Sequence, residues 1–552
     1  MYCRKNLTKD LICCLIIKRK SLRAIVVLFI IIFSQYLCPV FLFAKDWYVR
    51  PSGGTYGTES GVSYDNAWNG LLNVMWGKNG VKPGDSLYVC GIHVHDVKKS
   101  SYIATQAKIH IISGKDESRR ITLRGDYPGD PGIIWGSYRM SFGEWKNEGS
   151  GVWSIELPGN SYADWFFQDI GKPFPESFIA LDQVDTLEKL WNHPGGQYSV
   201  DYLSGSKIYI HCTDSKKPNG RIYGNRYGYG FVFGDAQYVT FKNLSFLGFG
   251  RFIQKNDRLS HVKWDKCHFA YGEHSLLGFW GANFGVEVIN CKFSWAENGI
   301  YTISGTDDYT SYYRFNNNYF ENIGVRKVNR NTDAHSIGIQ GGVGGEIKNN
   351  IIKNCGTGPL LYSGKNQEVR DTIVSENFVK NLHTLGNATG YGVSTMSFNN
   401  SRTKNSNNKF FNNVVMNSPV GYRFQFLELQ EVYNNISYNC TIGLESGRNS
   451  DGLGANVRLR QNIFLNSGRY HIRWYSGAIR FDIDSNNNLF YPIEGRQFNL
   501  RGKDLSWLEW KKSNRKYKNC VFDPDSLTFY PKFKNHSGYF ENKNDFVHQL
   551  WD

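Results

Sequence analysis

The sequence has little proline and little cysteine, and it lacks the 3.6-residue spacing of amphipathic helices. Fifteen prolines in 552 residues, beside 57 glycines and 15% aromatic residues, are typical of a folded β-rich protein rather than a disordered one. No Cys-x-x-Cys pair and no Cys/His pair at metal spacing occurs, so neither a zinc site nor a dense disulfide framework is indicated. The missing helical periodicity argues against a helical solenoid.

One four-residue phrase returns ten times between residues 243 and 490. Successive copies end 22 to 36 residues apart, and a period of about 25 residues with loops of variable length indicates a solenoid. After each phrase the chain tends to alternate polar and apolar residues, as a short strand does. The copies are Asn243–Phe246, Lys266–Phe269, Asn290–Phe293, Asn317–Phe320, Asn349–Ile352, Glu376–Val379, Asn412–Val415, Asn434–Ser437, Gln461–Phe464 and Asn487–Phe490.

Stacking the copies aligns residues of one kind into columns. Seven successive copies have asparagine as their second residue, and stacked amides can satisfy one another's hydrogen bonds in a protein interior. The last residue is mostly Phe, Ile or Val, which predicts an apolar inner column. We therefore predict an all-β fold, a right-handed parallel β-helix of about ten or more coils. The same stacking places Cys267 and Cys291 in neighbouring coils, within disulfide reach, with a reduced thiol pair as the alternative.

The sequence divides into five predicted parts. Residues 1–44 are first basic and then apolar, which predicts an export signal or an uncleaved membrane anchor, with residues 24–44 as the apolar segment. An N-terminal cap and the first coils take residues 45–134, and a β-rich insertion takes 135–235. The β-helix core takes 236–491 and a C-terminal cap takes 492–552. Either form of the leader predicts an exported protein, extracellular, periplasmic or on the cell surface.

The first part of the exported region carries three recognisable segments, Trp47–Gly53, Asn66–Trp68 and Lys82–Gly91. They resemble the amino-terminal region of the pectate-lyase-like superfamily of exported right-handed parallel β-helix proteins. That region has a first strand, a short capping helix and a Pro-Gly-Asp turn into the first coil. With the repeats, the resemblance covers most of residues 46–530. It implies a fold and no single activity, because the superfamily includes lyases, hydrolases, epimerases and inert adhesins.

Two coils are longer than the others, and their extra residues mark candidate functional loops. The first insertion, residues 324–332, contains Arg326 and Arg330, and the second surrounds residues 399–409. Both are basic and lie two coils apart, which predicts a cleft for an acidic ligand; solvated polar loops are the alternative. Residues 1–44 contain seven of the 64 Lys and Arg and one of the 49 Asp and Glu, so the rest of the chain has a net charge of +9. This moderate basic excess is compatible with an acidic polysaccharide as the partner.

Directly after the first insertion, His335 enters a predicted strand that ends at Gln340. Aligning the coils on this strand places His274, Asn298 and His335 in one column over three consecutive coils. Two imidazoles with an amide between them can grip one sugar. We include Gln340 among the residues predicted to bind the substrate. One line over, the alignment offers Tyr301 and, further along, Arg423, Glu445 and Arg473.

Such a site suits β-elimination from a uronate or the related C5 epimerisation. The uronate carboxylate must be neutralised, and a base must then take the C5 proton. We predict His335 as the base, because an unperturbed imidazole titrates near neutral pH, and Asp333 as the group that orients it. Tyr301 or Tyr391 is the predicted acid. The candidates for the carboxylate clamp are Arg326, Arg330 and Arg423.

Asp333-Ala-His335 is similar to the Asp-Pro-His motif of β-helix alginate epimerases, which implies catalytic roles for its first and last residues. The middle proline and the acidic residue that follows the histidine in that family are absent here. The dispersed acids Glu273, Glu297 and Asp333 are too few to predict a calcium site. No metal ligand is therefore predicted, and the sequence leaves open whether the protein uses Ca²⁺ as a cofactor.

Two other functional classes stay open beside a lyase or epimerase. A non-catalytic glycan-binding or surface scaffold β-helix is the main alternative, since columns of Asn and His arise from stacking alone. A glycoside hydrolase needs two carboxyls about 5–9.5 Å apart, and it ranks lower because only chance echoes of polygalacturonase motifs occur, at Asp307-Asp308 and Asn331–Asp333. Scattered basic residues and the lack of a recognition motif argue against nucleic acid. We expect a monomer, tethered to a membrane if the leader is retained.

Overall fold

The computed structural model divides the chain into two compact units, Met1–Lys45 and Asp46–Asp552, and the fold is described for the second. The predicted leader lies almost wholly outside the described residues. Within them, no helix has the length and apolar character needed to cross a bilayer. The described ranges are 44–94, 111–140, 143–156, 165–172, 177–201, 207–224, 229–231, 236–249, 252–254, 258–304, 309–324, 334–364, 367–384, 390–397, 404–425, 429–446, 456–475, 482–513 and 520–528.

A fifteen-stranded, wholly parallel sheet forms the first side of the coils, here called face A. Apart from the first two, its strands follow one another in chain order, so each coil contributes one strand beside that of the coil before it. In spatial order they are Trp68–Asn69, Asp46–Arg50, Ser86–Val89, Ile121–Arg124, Val239–Lys242, Lys263–Asp265, Glu287–Ile289, Arg314–Asn316, Glu346–Lys348, Ile373–Ser375, Lys409–Phe411, Leu429–Tyr433, Asn456–Arg460, Asp482–Asn486 and Val521–Phe522.

The repeated phrase opens the strands of the second side, face B, which belongs to a 22-stranded sheet. Two long strands, His268–Trp280 and Lys292–Ile303, run through face B and continue into the third side. The other strands of face B are Ile92–Val94, Ile133–Trp135, Ser245–Leu247, Tyr319–Ile323, Ile351–Lys353, Phe378–Lys380, Val414–Met416, Ile436–Tyr438, Ile463–Leu465 and Leu489–Tyr491.

The third side, face C, completes the 22-stranded sheet and holds the predicted site. Its last strand, Lys503–Leu505, is antiparallel to its neighbour Phe498–Leu500. Besides the two long strands, its parallel strands are Tyr229–Phe231, Phe252–Gln254, His335–Gln340, Thr357–Ser363, Tyr391–Ser397, Val420–Phe424, Ile442–Ser446, Tyr470–Trp474 and Phe498–Leu500. A small sheet between faces C and A contains Thr310–Ser311, Gly342–Val343, Glu368–Arg370 and Lys404–Ser406. The parallel coils agree with the predicted solenoid, and its right-handedness stays a prediction.

Two further sheets between Trp135 and Val239 correspond to the predicted β-rich insertion. One contains Tyr138–Arg139, Phe166–Asp169, Phe178–Ala180 and Ile222–Gly224, and the other contains Lys146–Gly149, Val152–Glu156, Asp182–Gln183, Gln197–Asp201 and Lys207–His211. The described α-helices are Leu187–Asn192 in the insertion and Trp507–Lys512 in the C-terminal cap, and the 3-10 helices are Leu71–Asn73 and Glu117–Arg119. The expected N-terminal capping helix is therefore only the three-residue 3-10 turn at Leu71–Asn73, because glycine and asparagine residues around it favour turns.

The asparagine column is an inner ladder of amides, as the repeat predicts. Asn377 shows the pattern: its Nδ2 donates to Asn413 Oδ1 at 2.9 Å and to Ile347 O at 3.0 Å, while its Oδ1 accepts from both nitrogens of Asn350. The residue before each ladder position has φ near +55°, a conformation that asparagine tolerates better than most residues. The phrase thus begins with a corner and continues with a buried amide. The ladder is Asn318, Asn350, Asn377, Asn413, Asn435, Asn462 and Asn488, all buried.

The apolar column stacks beside this ladder. Phe246, Phe269, Phe293 and Phe320 are buried, with ring centroids 4.8 to 5.3 Å apart, which contributes dispersion and stacking beyond simple burial. Next to the small residue Ser437 of this column, the carbonyl of Ile436 accepts a 3.0 Å hydrogen bond from the hydroxyl of Tyr422 of face C.

The seven described cysteines are all buried, and Cys90, Cys212, Cys267, Cys291, Cys355 and Cys440 are free thiols. Cys267 and Cys291 are neighbours, as predicted, and the Cys267 amide donates to Cys291 Sγ at 3.4 Å. Burial raises the pKa of the Cys291 thiol well above its usual value, helped by Cys267. The two cysteines are therefore reduced thiols, the second of the two predicted alternatives. Each occupies in its own coil the position that asparagine occupies in the seven later coils.

A buried histidine predicts acid sensitivity. His471 Nδ1 lies 2.9 Å from Ser467 Oγ and its Nε2 lies 2.5 Å from Pro492 O, and burial lowers its pKa from 6.5 to about 4. Because the folded-state pKa is depressed, the neutral ring stabilises the fold above pH 6.5, and this contribution is lost as the pH falls toward 4. We expect His471→Gln to reduce the slope of unfolding free energy against pH by up to ~1.4 kcal/mol per unit.

Urea unfolding across that pH window measures the slope for both proteins. Burial also lowers the pKa of His93 and of His268 to about 4, so the variant should keep a reduced slope rather than none. Equal slopes in variant and wild type would contradict the assignment to His471.

Candidate functional site

The register of face C places the predicted site residues on one outward line and beside it. The strand pairings place Tyr301 on the same line as Arg423, Glu445 and Arg473, as the alignment of the coils in the sequence predicts. Three strands separate Tyr301 from Arg423, so the predicted residues form two groups. The line reads Gly278, Tyr301, Gly338, Leu360, Ser394, Arg423, Glu445, Arg473 and Asn499.

The predicted column of His274, Asn298 and His335 is wrong at its first member. The strand pairing shifts between Gly272 and Ser275, and Ser275, not His274, lies opposite Asn298. An irregularity of one residue moves every later side chain of a strand by one position.

Asn298 is also a structural residue rather than an exposed ligand for a sugar. It is completely buried, and its Oδ1 accepts a 2.8 Å hydrogen bond from the backbone N–H of His335. The amide therefore fixes the point at which His335 enters its strand, and it cannot touch a substrate on the surface of face C.

Tyr301, His335 and Gln340 do come together. The ring centroids of Tyr301 and His335 are 6.2 Å apart, and the Tyr301 hydroxyl donates to Gln340 Oε1 at 2.8 Å. Gln340 Nε2 in turn donates to Gln367 Oε1 at 3.2 Å. His335 and Gln340 are partly exposed, so the group presents an imidazole and an amide to solvent beside a mostly covered phenol.

Gly338 makes this arrangement possible. A Cβ at Gly338 would lie 2.6 Å from Tyr301 Cδ2 and 3.2 Å from His335 Cδ2, so any side chain there would separate the two rings. Ala334, the residue before the strand, has φ +50°, which is unfavourable for alanine. Positive φ values recur at many non-glycine positions of the coils, so this backbone conformation belongs to the solenoid and fixes where the strand of His335 begins.

The second group surrounds a buried ion pair on the same line. Arg423 Nε lies 3.5 Å from Glu445 Oε1, and their side chains are 2% and 6% exposed. The Tyr391 ring covers the guanidinium, with its centroid 4.1 Å from Arg423 Cζ. Arg423 therefore does not serve as an accessible carboxylate clamp, contrary to the prediction, because Glu445 already neutralises it and Tyr391 shields it.

Two tyrosines complete this group, and the sequence pattern did not single them out. The Tyr475 hydroxyl donates to Glu445 Oε2 at 3.0 Å, and burial, with a contribution from Glu445, raises the pKa of Tyr475 to about 12. Arg473 Cζ lies 4.3 Å from the Tyr475 ring centroid and 5.8 Å from that of Tyr470. Tyr475 is two positions after Arg473, and residues two apart on a strand lie on the same face. This spacing could have predicted that Tyr475 belongs to the group.

Asp333, Arg326 and Arg330 lie outside the described residues. Within the described ranges, no group of three or more His, Cys, Asp or Glu side chains is placed to hold a metal ion. Ca²⁺ binding therefore stays a prediction from the sequence.

No protein-family model matches the chain, and no curated protein matches it. Among solved structures, a glycoside hydrolase matches at 11% identity and TM-score 0.48, covering 78% of this chain and 96% of its own. A lacto-N-biosidase from Eubacterium ramulus matches at 10% identity and TM-score 0.38, covering 88% of this chain and 67% of its own.

A mannuronic acid specific polysaccharide family 6 lyase from human gut microbiota matches at 12% identity and TM-score 0.41, covering 90% of this chain and 89% of its own. At such identities and TM-scores, the likenesses carry no argument about what this chain does.

Proposed function

We propose that this protein is exported and acts on a uronate-containing polysaccharide along face C, by β-elimination or the related C5 epimerisation. The observation that carries the proposal is the meeting of the His335 imidazole and the Tyr301 phenol across Gly338. A base and an acid on adjacent coils are what proton abstraction at C5 and protonation of a leaving oxygen require. The basic, then apolar, leader at residues 1–44 supports export.

In the elimination reaction, His335 takes the C5 proton of the uronate. The electron pair of the C5–H bond forms the C4=C5 double bond as the C4–O bond breaks, and the leaving oxygen takes the Tyr301 hydroxyl proton. The proton on His335 then returns to the phenolate through solvent. In epimerisation, the C4–O bond stays intact and the Tyr301 hydroxyl gives its proton to the opposite side of C5, after which the proton on His335 returns to the phenolate through solvent.

The chain prepares His335 for this role mainly through its backbone. The bond from His335 N–H to Asn298 Oδ1 fixes the base, and Gln340 holds the Tyr301 hydroxyl. We assign neutralisation of the substrate carboxylate to Arg326 or Arg330, which precede His335 in the sequence. A bound Ca²⁺ would supply part of the positive charge that neutralises the substrate carboxylate.

We expect His335→Asn to lower the elimination or epimerisation rate on alginate or polygalacturonate by at least about 100-fold, the usual contribution of a general base. The ultraviolet absorbance of the unsaturated product reports elimination, and deuterium incorporation at C5 in heavy water reports epimerisation. His261→Asn is the matched control, because His261 is a partly exposed histidine at a corner next to face A, with φ +53°, which asparagine tolerates.

Neither unsaturated product nor deuterium at C5, with and without Ca²⁺ and over a panel of uronate polymers, would overturn the catalytic proposal. A non-catalytic glycan-binding β-helix is the second candidate, and one observation favours it. The polar groups from Tyr301 through Gln340 and Gln367 to the carbonyl of Ser304 form a continuous hydrogen-bond chain, as a stacked structural ladder would. Binding of the same polymers without turnover would identify that function.

A further inference from the structure

We infer that Arg473 forms a second, anion-binding subsite on face C, which holds a carboxylate of the same polysaccharide far from His335. The inference rests on the proposed function for its ligand, a polyuronate chain. Its structural basis is independent of the catalytic residues, since Arg473 lies in the second group of the face.

Among the three consecutive charged residues of the outward line, Arg473 is the cation that has no carboxylate of its own. Arg423, Glu445 and Arg473 are consecutive on the line, so one carboxylate lies between two guanidinium groups. Both oxygens of that carboxylate are already engaged, Oε1 by Arg423 and Oε2 by the Tyr475 hydroxyl. Within the described ranges, no carboxylate forms an ion pair with Arg473, and its guanidinium lies over two tyrosine rings.

Those rings hold the guanidinium without using its hydrogen-bond donors. Arg473 Cζ is 4.3 Å from the Tyr475 ring centroid, and stacking of this kind leaves the N–H groups at the edge of the guanidinium plane. Arg473 is partly exposed, in contrast to the buried Arg423. A planar, stacked and accessible guanidinium is suited to binding a carboxylate in a bidentate manner.

Asp504, the acidic residue on the strand beyond Asn499, is engaged by other groups. Asp504 Oδ1 accepts from Asn499 Nδ2 at 2.6 Å and from the Tyr470 hydroxyl at 2.9 Å. These two hydrogen bonds, in that order, are the main causes that lower the pKa of Asp504, and Arg469 and Arg496 add to the effect. This end of face C therefore carries more positive than negative charge among its described residues, which favours an anionic ligand.

The separation of the two groups determines the size of the ligand. Five strand steps lead from the strand of His335 to that of Arg473, a span of about 24 Å at the usual spacing of 4.8 Å. A disaccharide at His335 cannot reach Arg473, whereas a polymer lying along the coils can. Arg473 is thus expected to discriminate for long, acidic chains.

Binding of the exported chain to sodium polygalacturonate and sodium alginate, measured by calorimetry, tests the inference. We expect Arg473→Gln to raise the Kd for polymer by about tenfold, the factor that a charge-assisted pair contributes, and to leave the Kd for a uronate disaccharide unchanged. Arg473→Lys should give an intermediate loss, because it keeps the charge but not the planar fork. Arg458→Gln on face A, where Arg458 pairs with Glu431 and Asp484, is the control expected to bind as wild type.

Polymer affinity in Arg473→Gln equal to that of wild type, in a variant with unchanged melting temperature, would overturn the subsite. An equal loss for polymer and disaccharide would overturn the distal position. Failure of the proposed function is recognised separately: His335→Asn would then cause no loss of turnover, or no turnover would exist, while Arg473→Gln would still weaken polymer binding. A neutral polysaccharide that binds as tightly as polyuronate would contradict the anionic ligand.

Discussion

Asn377→Ala is expected to lower the free energy of unfolding by about 3–5 kcal/mol, since each buried polar group left without its partner costs about 1–3 kcal/mol. The change removes the acceptor of two Asn350 donors and the donor to the carbonyl of Ile347. No water can replace these contacts in a column where Asn350 and Asn377 are completely buried. Equilibrium unfolding in urea, followed by circular dichroism, measures the loss.

The matched control lies on an outer asparagine ladder of the same coils. Asn417 Nδ2 donates to Asn381 Oδ1 at 3.1 Å, but Asn417 is exposed. Asn417→Gly keeps its φ of +48° accessible and should cost less than about 1 kcal/mol, because water replaces the lost bonds. A similar loss at both positions would show that the inner ladder owes its effect to stacking geometry and not to buried hydrogen bonds.

Glu445→Ala should destabilise the protein by about 3–5 kcal/mol, the usual result of leaving one member of a buried ion pair without its partner. The variant leaves the Arg423 guanidinium, whose side chain is 2% exposed, without its counter-charge, and it removes the acceptor of the Tyr475 hydroxyl. The same urea experiment measures the change. The prediction fails if Glu445→Ala unfolds at the same urea concentration as wild type.

A double variant separates the charge from the packing at this position. Arg423→Met combined with Glu445→Leu removes both charges and keeps apolar volume, and such replacements are often neutral or stabilising. We therefore expect the double variant to recover most of the stability lost in Glu445→Ala. A double variant less stable than Glu445→Ala would show that Arg423 contributes through its stack on Tyr391 more than through its charge.

The stacked coils can be predicted from the sequence because they depend on a short repeat. The second residue of the phrase must fill the same buried position in each coil, so the asparagine column from Asn318 to Asn488 predicts both the stacking and its hydrogen bonds. The line of Tyr301, Arg423, Glu445 and Arg473 follows by counting along strands whose starts the phrase defines. Period and alternation therefore determine which residues are aligned.

Local irregularities in the strands cannot be predicted from the repeat in the same way. The register shift before Ser275 moved His274 out of the predicted column, and nothing in the residue pattern of that strand announces it. Burial was the second obstacle. Counting places Asn298 and Arg423 on the right strands, but whether a polar side chain is covered depends on partners such as His335, Glu445 and Tyr391, which lie far away in the sequence.

The reversed strand at the end of face C has a consequence for assembly. A stack of parallel coils could in principle grow end to end into a fibre, because each terminal strand offers unpaired backbone groups to the first coil of another molecule. Lys503–Leu505 runs against its neighbour, so a molecule arriving at this edge would meet a hydrogen-bonding pattern that does not continue the parallel coils. Lys503 is exposed there, and a charge on an edge strand further opposes polymerisation.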